Sequence, residues 1–207
     1  MLEYRQICLY SQGMVATVKD SSPRDRLLAA AGELFYEHGV HTVGIDTIIE
    51  RAGVAKASLY NTFGSKDELV RAYLEARHEA RRARLTAEIE RHEDPKERLL
   101  AIFDVLATTV AQPDFRGCAF ANAVAESELD STAADVTRGV RRWLLHTIVE
   151  LTTALGVGDP AALARQLTLL YDGALAQSRL DPSPAAAEAA KAAANQLVDA
   201  ALRARLD

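Results

Sequence analysis

The stretch from Arg24 to Val70 decides the fold and reads RDRLLAAAGELFYEHGVHTVGIDTIIERAGVAKASLYNTFGSKDELV. Its apolar residues recur at the three- and four-residue spacing of a helix that is buried on one side. Gly39, Gly53 and Gly64 interrupt that spacing, and a glycine just past a helical run is a common C-terminal stop. The stretch therefore predicts three short helices, over residues 23–38, 45–52 and 56–62.

Helix-start signals recur along the rest of the chain. Asp94-Pro95 and Asp159-Pro160 each place a capping carboxylate before a proline at the first helical position. Because no run of alternating strand residues appears, the chain is predicted to be all-α, with about nine helices. The six further helices are expected near residues 66–92, 95–111, 118–128, 132–155, 160–179 and 184–206.

The composition is that of a globular protein, with 207 residues of which 49% are hydrophobic and 26% charged. No apolar run reaches the roughly 18 residues that span a bilayer, so no membrane association is expected. Two cysteines, Cys8 and Cys118, are too few for a disulfide scaffold and indicate a reducing, cytoplasmic location. Cys118 is either a buried structural cysteine or a redox-sensitive thiol.

The net charge of −5 argues at first against a nucleic-acid-binding protein. However, residues 1–92 carry 13 basic and 13 acidic side chains, so the whole negative excess lies in residues 93–207. The N-terminal half is neutral, and its affinity for DNA must come from charges placed on one face.

Residues 1–20 show no sustained periodicity and are predicted to lack fixed structure, the alternative being a short ordered arm. Met14 is a second candidate for the true start of the protein.

The second and third predicted helices, joined by a tight glycine turn, have the form of a helix-turn-helix motif. When Leu59 is buried, a step of about 100° per residue places Ala57 and Asn61 on the outward face. The flanking residues are polar: Lys56, Ser58 and Tyr60. Such a small, polar helix face fits the major groove of DNA, where Lys and Asn bond base edges.

Three ordered motifs in this stretch resemble the DNA-binding domain of TetR-family transcriptional regulators. They are A-x-x-L-F-x-x-x-G at 31–39, I-x-x-x-A-G-V at 48–54 and S-L-Y-x-x-F-x-S-K-D-E-L at 58–69. The resemblance covers roughly a quarter of the chain. It implies a three-helix DNA-binding head over residues 21–67 and a larger helical domain over 68–207 that binds a small effector and dimerises.

The resemblance also implies roles for single residues. Tyr60 and Lys66 occupy positions that contact phosphates in the family, although packing and solvation are their alternative roles. Thr42 and Thr47 stand where the family often has phosphate-binding hydroxyls. Base contacts are expected from the start of the third helix and its outward face: Lys56, Ala57, Ser58 and Asn61.

This chain departs from the family pattern at two helix starts. Ala55 stands where the family often has a capping serine, so the third helix loses a hydrogen bond worth about 1 kcal/mol. Gly44 replaces a Thr or Ser before the second helix and cannot bond a phosphate through a side chain.

The helices near 160–179 and 184–206 are expected to form a homodimer interface, because the family pairs two such helices from each subunit. Two stripes of small and apolar residues are the candidates for this interface, with the core of the chain as the alternative. They are Leu163, Leu167, Leu170, Ala174 and Leu175, and Ala190, Ala193, Ala194, Leu197, Ala201 and Ala204.

Aromatic and polar residues of the C-terminal domain are candidates for an effector pocket, because small-molecule sites combine apolar walls with a few polar groups. Their alternative role is ordinary core packing. The candidates are Phe103, Thr109, Phe120, Asn122, Trp143, His146, Tyr171 and Gln177. The five histidines form no metal-ligand pattern, and neither a metal nor a cofactor is expected.

The predicted function is a DNA-binding transcriptional regulator, a repressor that binds a palindromic operator as a dimer and is released by a small-molecule effector. An activator and an effector-independent regulator are the alternatives. An all-helical enzyme is disfavoured because no nucleophile–base pair or phosphate loop is present. A protein-binding adaptor is disfavoured because the outward helix face is polar.

Overall fold

The computed structural model describes residues 22–204, and these form nine α-helices with no β-strand among them. The helices are α1 (Pro23–His38), α2 (Ile45–Ala52), α3 (Lys56–Phe63), α4 (Lys66–Glu90), α5 (Pro95–Val110), α6 (Ala119–Ala125), α7 (Thr132–Ala154), α8 (Pro160–Leu180) and α9 (Ala185–Arg203). The predicted all-α fold is confirmed for this part of the chain. The prediction for residues 1–20 lies outside the described residues.

Capping side chains explain where several helices begin. The Ser22 hydroxyl accepts a hydrogen bond from the Asp25 N–H at 3.2 Å. The Asp94 carboxylate accepts from the N–H groups of Lys96 and Glu97, both at 2.9 Å. Each cap satisfies backbone donors that have no partner inside the helix, and proline at the first helical position reinforces the start.

The described chain divides into two compact units. One holds the chain up to Ala80 together with Ala119–Arg138, and the other holds Arg81–Cys118 together with the chain from Gly139 onward. Helices α1, α2, α3 and α6 lie in the first unit, and α5, α8 and α9 lie in the second. The domain boundary expected between residues 67 and 68 stays a prediction.

The core of the first unit joins its three N-terminal helices. Leu27, Ile48 and Leu59, one from each of α1, α2 and α3, are completely buried. The Phe35 and Tyr73 rings meet edge to face with their centroids 5.5 Å apart. Helices of eight residues are not stable alone, so this shared core is what holds α2 and α3 in place.

The core of the second unit lies between α5, α8 and α9. Phe103 and Tyr171 pack edge to face with centroids 6.3 Å apart. The buried face of α9 is made of small side chains, which let that helix approach its neighbours closely: Ala187, Ala190, Ala194 and Val198.

The two stripes considered for a dimer interface pack mostly inside this second unit. Leu163, Leu167, Ala174 and Leu175 on α8 and Ala190 and Ala194 on α9 are buried in its core. Leu170, Leu197 and Ala201 are partly buried against the same core. The buried members of these stripes are therefore core residues of the chain, which is the alternative role given to them above, and the homodimer interface on these two helices stays a prediction.

Candidate nucleic-acid interface

The turn between α2 and α3 is built by Gly53, which adopts the left-handed conformation with φ +62° and ψ 41°. Its N–H donates to the Glu50 carbonyl at 3.1 Å and ends α2. Its own carbonyl accepts a hydrogen bond from Arg26 of α1 at 3.3 Å. The turn that sets the angle between the two helices is thus tied to the first helix.

Helix α3 presents the face that the sequence predicts. Leu59 is completely buried, whereas Ala57 and Asn61 are exposed. Lys56 is exposed and Tyr60 is 44% exposed, while Ser58 is half-buried. A row of small and polar side chains therefore faces solvent on one side of α3, a surface that can enter a groove of DNA.

The starts of α2 and α3 carry no side-chain cap, as the substitutions at Gly44 and Ala55 predict. Both residues have the extended backbone of an N-cap, so the helices begin normally. Apart from the Ser58 N–H, which donates to the Ala55 carbonyl at 2.9 Å, the first backbone N–H groups of the two helices are consequently left to solvent or to an anion. Such donors at a helix N-terminus bind phosphate groups.

Lys56, the first residue of α3, pairs with Asp46 in the first turn of α2. Its Nζ lies 2.9 Å from Asp46 Oδ1, and both side chains are largely exposed. The hydrogen bond to Asp46 raises the pKa of Lys56, and the charge of Asp46 adds to that effect. One predicted DNA contact is therefore neutralised within the motif.

Lys66, the first residue of α4, is half-buried and points at the loop between α1 and α2. Its Nζ donates to the His41 carbonyl at 3.3 Å. Burial lowers the pKa of Lys66, against the opposing influence of the Asp67 and Glu126 carboxylates. The side chain therefore has a structural partner in addition to its predicted phosphate role.

The two threonines expected near DNA are both exposed. Thr42 lies in the loop before α2, and Thr47 is the third residue of α2. In the chain, Thr42 lies two residues before the N-cap Gly44 and Thr47 lies three residues after it, so both are close to the uncapped start of α2.

Two acidic residues of this region have partners that the sequence does not indicate. Asp46 lies ten residues before Lys56, a spacing with no meaning until α2 and α3 are packed together. Glu126 follows α6 and accepts a hydrogen bond from the His41 N–H, 85 positions earlier, at 3.0 Å. No local pattern in the sequence marks either contact.

The residues expected to form an effector pocket are spread over both units. Phe120 and Asn122 lie on α6 in the first unit, and the other six lie in the second. Phe103 and Tyr171 are buried against each other, and Trp143 packs on the same core.

His146 and Gln177 are exposed, and their place in an effector pocket stays a prediction. His146 Nδ1 instead lies 3.6 Å from a Glu150 carboxylate oxygen, one turn further along α7. His146 and Gln177 both lie at outward positions of their helices, which the residue types alone do not reveal.

A groove of about 560 Å³ runs between α4 and α5 in the second unit. Thr109 is the one predicted pocket residue that lines it, and its hydroxyl donates to the Val105 carbonyl at 2.7 Å. The other lining residues are mainly charged or polar, including Arg84, Glu88 and Asp104.

Among residues 22–204 no group of three or more His, Cys, Asp or Glu side chains is placed to hold a metal ion. In the same part of the chain, no helix has the length and apolar character needed to cross a membrane. Cys118 is a half-buried free thiol.

Comparison with known proteins places this geometry among bacterial regulators. Residues 27–73 match the family model described as bacterial regulatory proteins, tetR family. The crystal structure of SCO4454, a TetR-family transcriptional regulator from Streptomyces coelicolor, is 37% identical with a TM-score of 0.77. That match covers 87% of this chain and 94% of the other.

Two curated regulators are similar over the head alone. The HTH-type transcriptional activator FasR of Mycolicibacterium smegmatis is 50% identical over 52 residues, which are 25% of this chain and 24% of FasR. The HTH-type transcriptional regulator TtgR of Pseudomonas putida is 37% identical over 68 residues, 32% of each chain. The chain thus aligns with a third or less of the length of these two relatives.

Proposed function

Because this chain is a DNA-binding transcriptional regulator of the TetR family, and not an enzyme, we propose that it represses transcription from a palindromic operator that it binds as a homodimer. Because operator DNA is the proposed target, we expect the protein to act in the cytoplasm. A small-molecule effector bound by the second unit releases it from DNA.

The observation that carries the proposal is the exposed face of α3, together with the uncapped starts of α2 and α3. Leu59 anchors α3 in the core, so Ala57 and Asn61 face outward with Lys56 and Tyr60 beside them. We assign base contacts to the outward residues and phosphate contacts to Tyr60, the threonines and the free N–H groups of α2 and α3.

A single eight-residue recognition helix covers only a few base pairs, so useful specificity requires two copies on successive turns of DNA. Helices α8 and α9 supply a surface for this second copy. Leu169 and Leu180 are 72% and 82% exposed, and Gly173 and Ala176 lie exposed between them at helical spacing. Helix α9 also exposes alanines at helical spacing: Ala185, Ala189 and Ala192.

Release by an effector follows if a ligand binds the second unit more tightly in a conformation that misplaces the two recognition helices. Operator affinity then falls by the difference in ligand affinity between the two conformations.

Activation is the second candidate, favoured by the 50% identity of the head to the activator FasR. The identity covers DNA recognition, whereas the sign of regulation depends on where the operator lies relative to the promoter. Transcription in vitro from a template carrying the selected operator distinguishes the two, since a repressor lowers the transcript level and an activator raises it.

The decisive experiment is selection of bound DNA from a random pool by the full-length protein. We expect a palindromic motif whose half-sites are separated by about one helical turn. Asn61→Glu should abolish enrichment, because a carboxylate on the outward face repels phosphates. Thr86→Glu, at an exposed position of α4 in the second unit, should leave it intact. Failure of the wild-type protein to enrich any motif would overturn the proposal.

A further inference from the structure

The backbone N–H and the backbone carbonyl of His41, in the loop between α1 and α2, are hydrogen-bonded to two side chains of opposite charge. The N–H donates to Glu126 Oε2 at 3.0 Å, and the carbonyl accepts from Lys66 Nζ at 3.3 Å. Glu126 lies just beyond α6 and Lys66 opens α4, so three separate parts of the first unit meet at this loop. The Glu126 charge also favours the charged form of Lys66.

The loop is shaped to admit the Glu126 carboxylate. Gly39 ends α1 with φ +91°, and a Cβ at this position would lie 2.5 Å from Glu126 Oε1. Any side chain there would displace the carboxylate, and it would also be strained by the positive φ. Gly39 therefore provides both the turn and the space that Glu126 occupies.

The loop held in this way leads directly into the proposed DNA-binding surface. Thr42 follows His41, and Gly44 is the N-cap from which the free N–H groups of α2 begin. Thr42 and the N–H groups of α2 can contact DNA only when they are correctly placed. If the loop were mobile, DNA binding would have to order it, and this entropic cost would weaken binding.

We propose that Glu126 is a positioning residue for DNA recognition, which fixes the α1–α2 loop and the start of α2 through its hydrogen bond to His41. The proposal rests on the DNA-binding function proposed above. Glu126 contacts no phosphate in this role. The Glu126 carboxylate accepts the hydrogen bond from the His41 N–H, and Lys66 donates a second hydrogen bond to the His41 carbonyl.

Two variants separate the hydrogen bond from the charge. Glu126→Gln keeps a side-chain carbonyl that accepts from His41 N–H, whereas Glu126→Ala removes the acceptor. Glu128→Ala is the matched control, since it removes an exposed carboxylate two residues away. Glu126 is half-buried and Glu128 is exposed, so thermal unfolding is used to check that each of the three variants is folded.

The first measurement is amide hydrogen exchange at His41 in the DNA-free protein. Exchange should be slow in the wild-type protein, Glu126→Gln and Glu128→Ala, and faster in Glu126→Ala. Equal exchange at His41 in all four proteins would overturn the proposed contact.

The second measurement is affinity for the selected operator as a function of salt. Glu126→Ala should bind up to about tenfold more weakly, a loss at the upper end of the range expected for an ordinary hydrogen bond. Its salt dependence should match the wild type, because no Lys or Arg that neutralises a phosphate is lost. Glu126→Gln and Glu128→Ala should stay within about twofold of the wild type.

The outcomes separate this proposal from the one on which it rests. If the wild-type protein binds an operator and Glu126→Ala binds it equally well, the positioning role is wrong and DNA recognition stands. If the wild-type protein selects no DNA, both proposals fail, whatever the exchange of His41.

Discussion

Lys56 Nζ lies 2.9 Å from Asp46 Oδ1, so the first residue of α3 is paired with a carboxylate of α2 on the exposed side of the helix-turn-helix motif. The pair links the recognition helix to its neighbour. It also places a negative charge beside a cation that is expected to meet DNA. Exposed ion pairs of this kind contribute little free energy, so Lys56 can leave Asp46 for a DNA phosphate at a small cost in free energy.

Asp46→Asn should raise affinity for DNA of any sequence by about two- to fivefold, because Lys56 is released and a carboxylate that repels phosphate is removed. The slope of log affinity against log salt should steepen by about 0.9 if Lys56 gains one phosphate contact. Fluorescence anisotropy titrations at several salt concentrations measure both quantities.

Glu50→Gln is the control for Asp46→Asn, since it removes an exposed carboxylate from the same helix. It should leave the salt slope unchanged. In Lys56→Met the Asp46→Asn change should no longer steepen the slope, and a persistent effect there would show that Lys56 is not the group released.

Tyr60 and Asn61 are neighbours with different assigned roles, so their variants should differ in kind. Tyr60→Phe removes a hydroxyl assigned to phosphate and should weaken binding to all sequences alike. Asn61→Ala removes a group assigned to base edges and should change the selected motif, with a cost of about 1–3 kcal/mol at the affected base pair. An unchanged motif from Asn61→Ala would exclude Asn61 from base reading.

Leu169→Glu should convert the proposed dimer into monomers, because it buries a charge in the α8 surface assigned to the second copy. Sedimentation at micromolar concentration measures the assembly state. Leu129→Glu is the matched control, since Leu129 is 84% exposed and lies in the first unit. A dimer that survives Leu169→Glu would place the interface elsewhere.

Gly53→Ala should lower the free energy of unfolding by about 1–2 kcal/mol, since Gly53 has φ +62° and a Cβ is strained there. Gly139 lies inside α7 with nothing within 4 Å of an added Cβ. Gly139→Ala should therefore raise stability by up to about 1 kcal/mol. Urea unfolding of the two variants should give opposite signs, and the same sign in both would contradict this reading of the turn.

Tyr171→Phe should flatten the loss of stability at alkaline pH. Burial raises the pKa of Tyr171, although the nearby Arg81 charge acts in the opposite direction. Above about pH 10 the unfolded phenol loses its proton before the folded one does, so stability falls as pH rises toward the raised pKa. The wild type should lose up to about 1.4 kcal/mol per pH unit more than the variant in urea unfolding, and parallel curves would rule out this linkage.

The sequence predicts most of the helices correctly because helix starts are local. Ser22 and Asp94 cap the helices that follow them, as their spacing to proline and acidic residues indicates. The buried and exposed faces of α3 are likewise confirmed, because one buried Leu59 determines the orientation of every residue on a helix of eight.

The sequence does not determine the partners of the apolar helix faces in the second unit, because a helical stripe does not indicate what covers it. Leu167 and Ala194 have the spacing of an interface, and they pack within the chain. The imidazole of His146 is a chemically suitable group for a ligand site, but its position on α7 leaves it in solvent. Periodicity identifies an apolar face, while its partner depends on how distant helices meet.

The amino-acid sequence by itself determined the helix-turn-helix, its outward residues and the missing caps at Gly44 and Ala55, because these depend on neighbours within one or two helical turns. Only the tertiary structure decided which partners the two key lysines have. Lys56 meets Asp46, and Lys66 shares His41 with Glu126. Contacts between residues 10 to 85 positions apart arise from packing, and no local pattern encodes them.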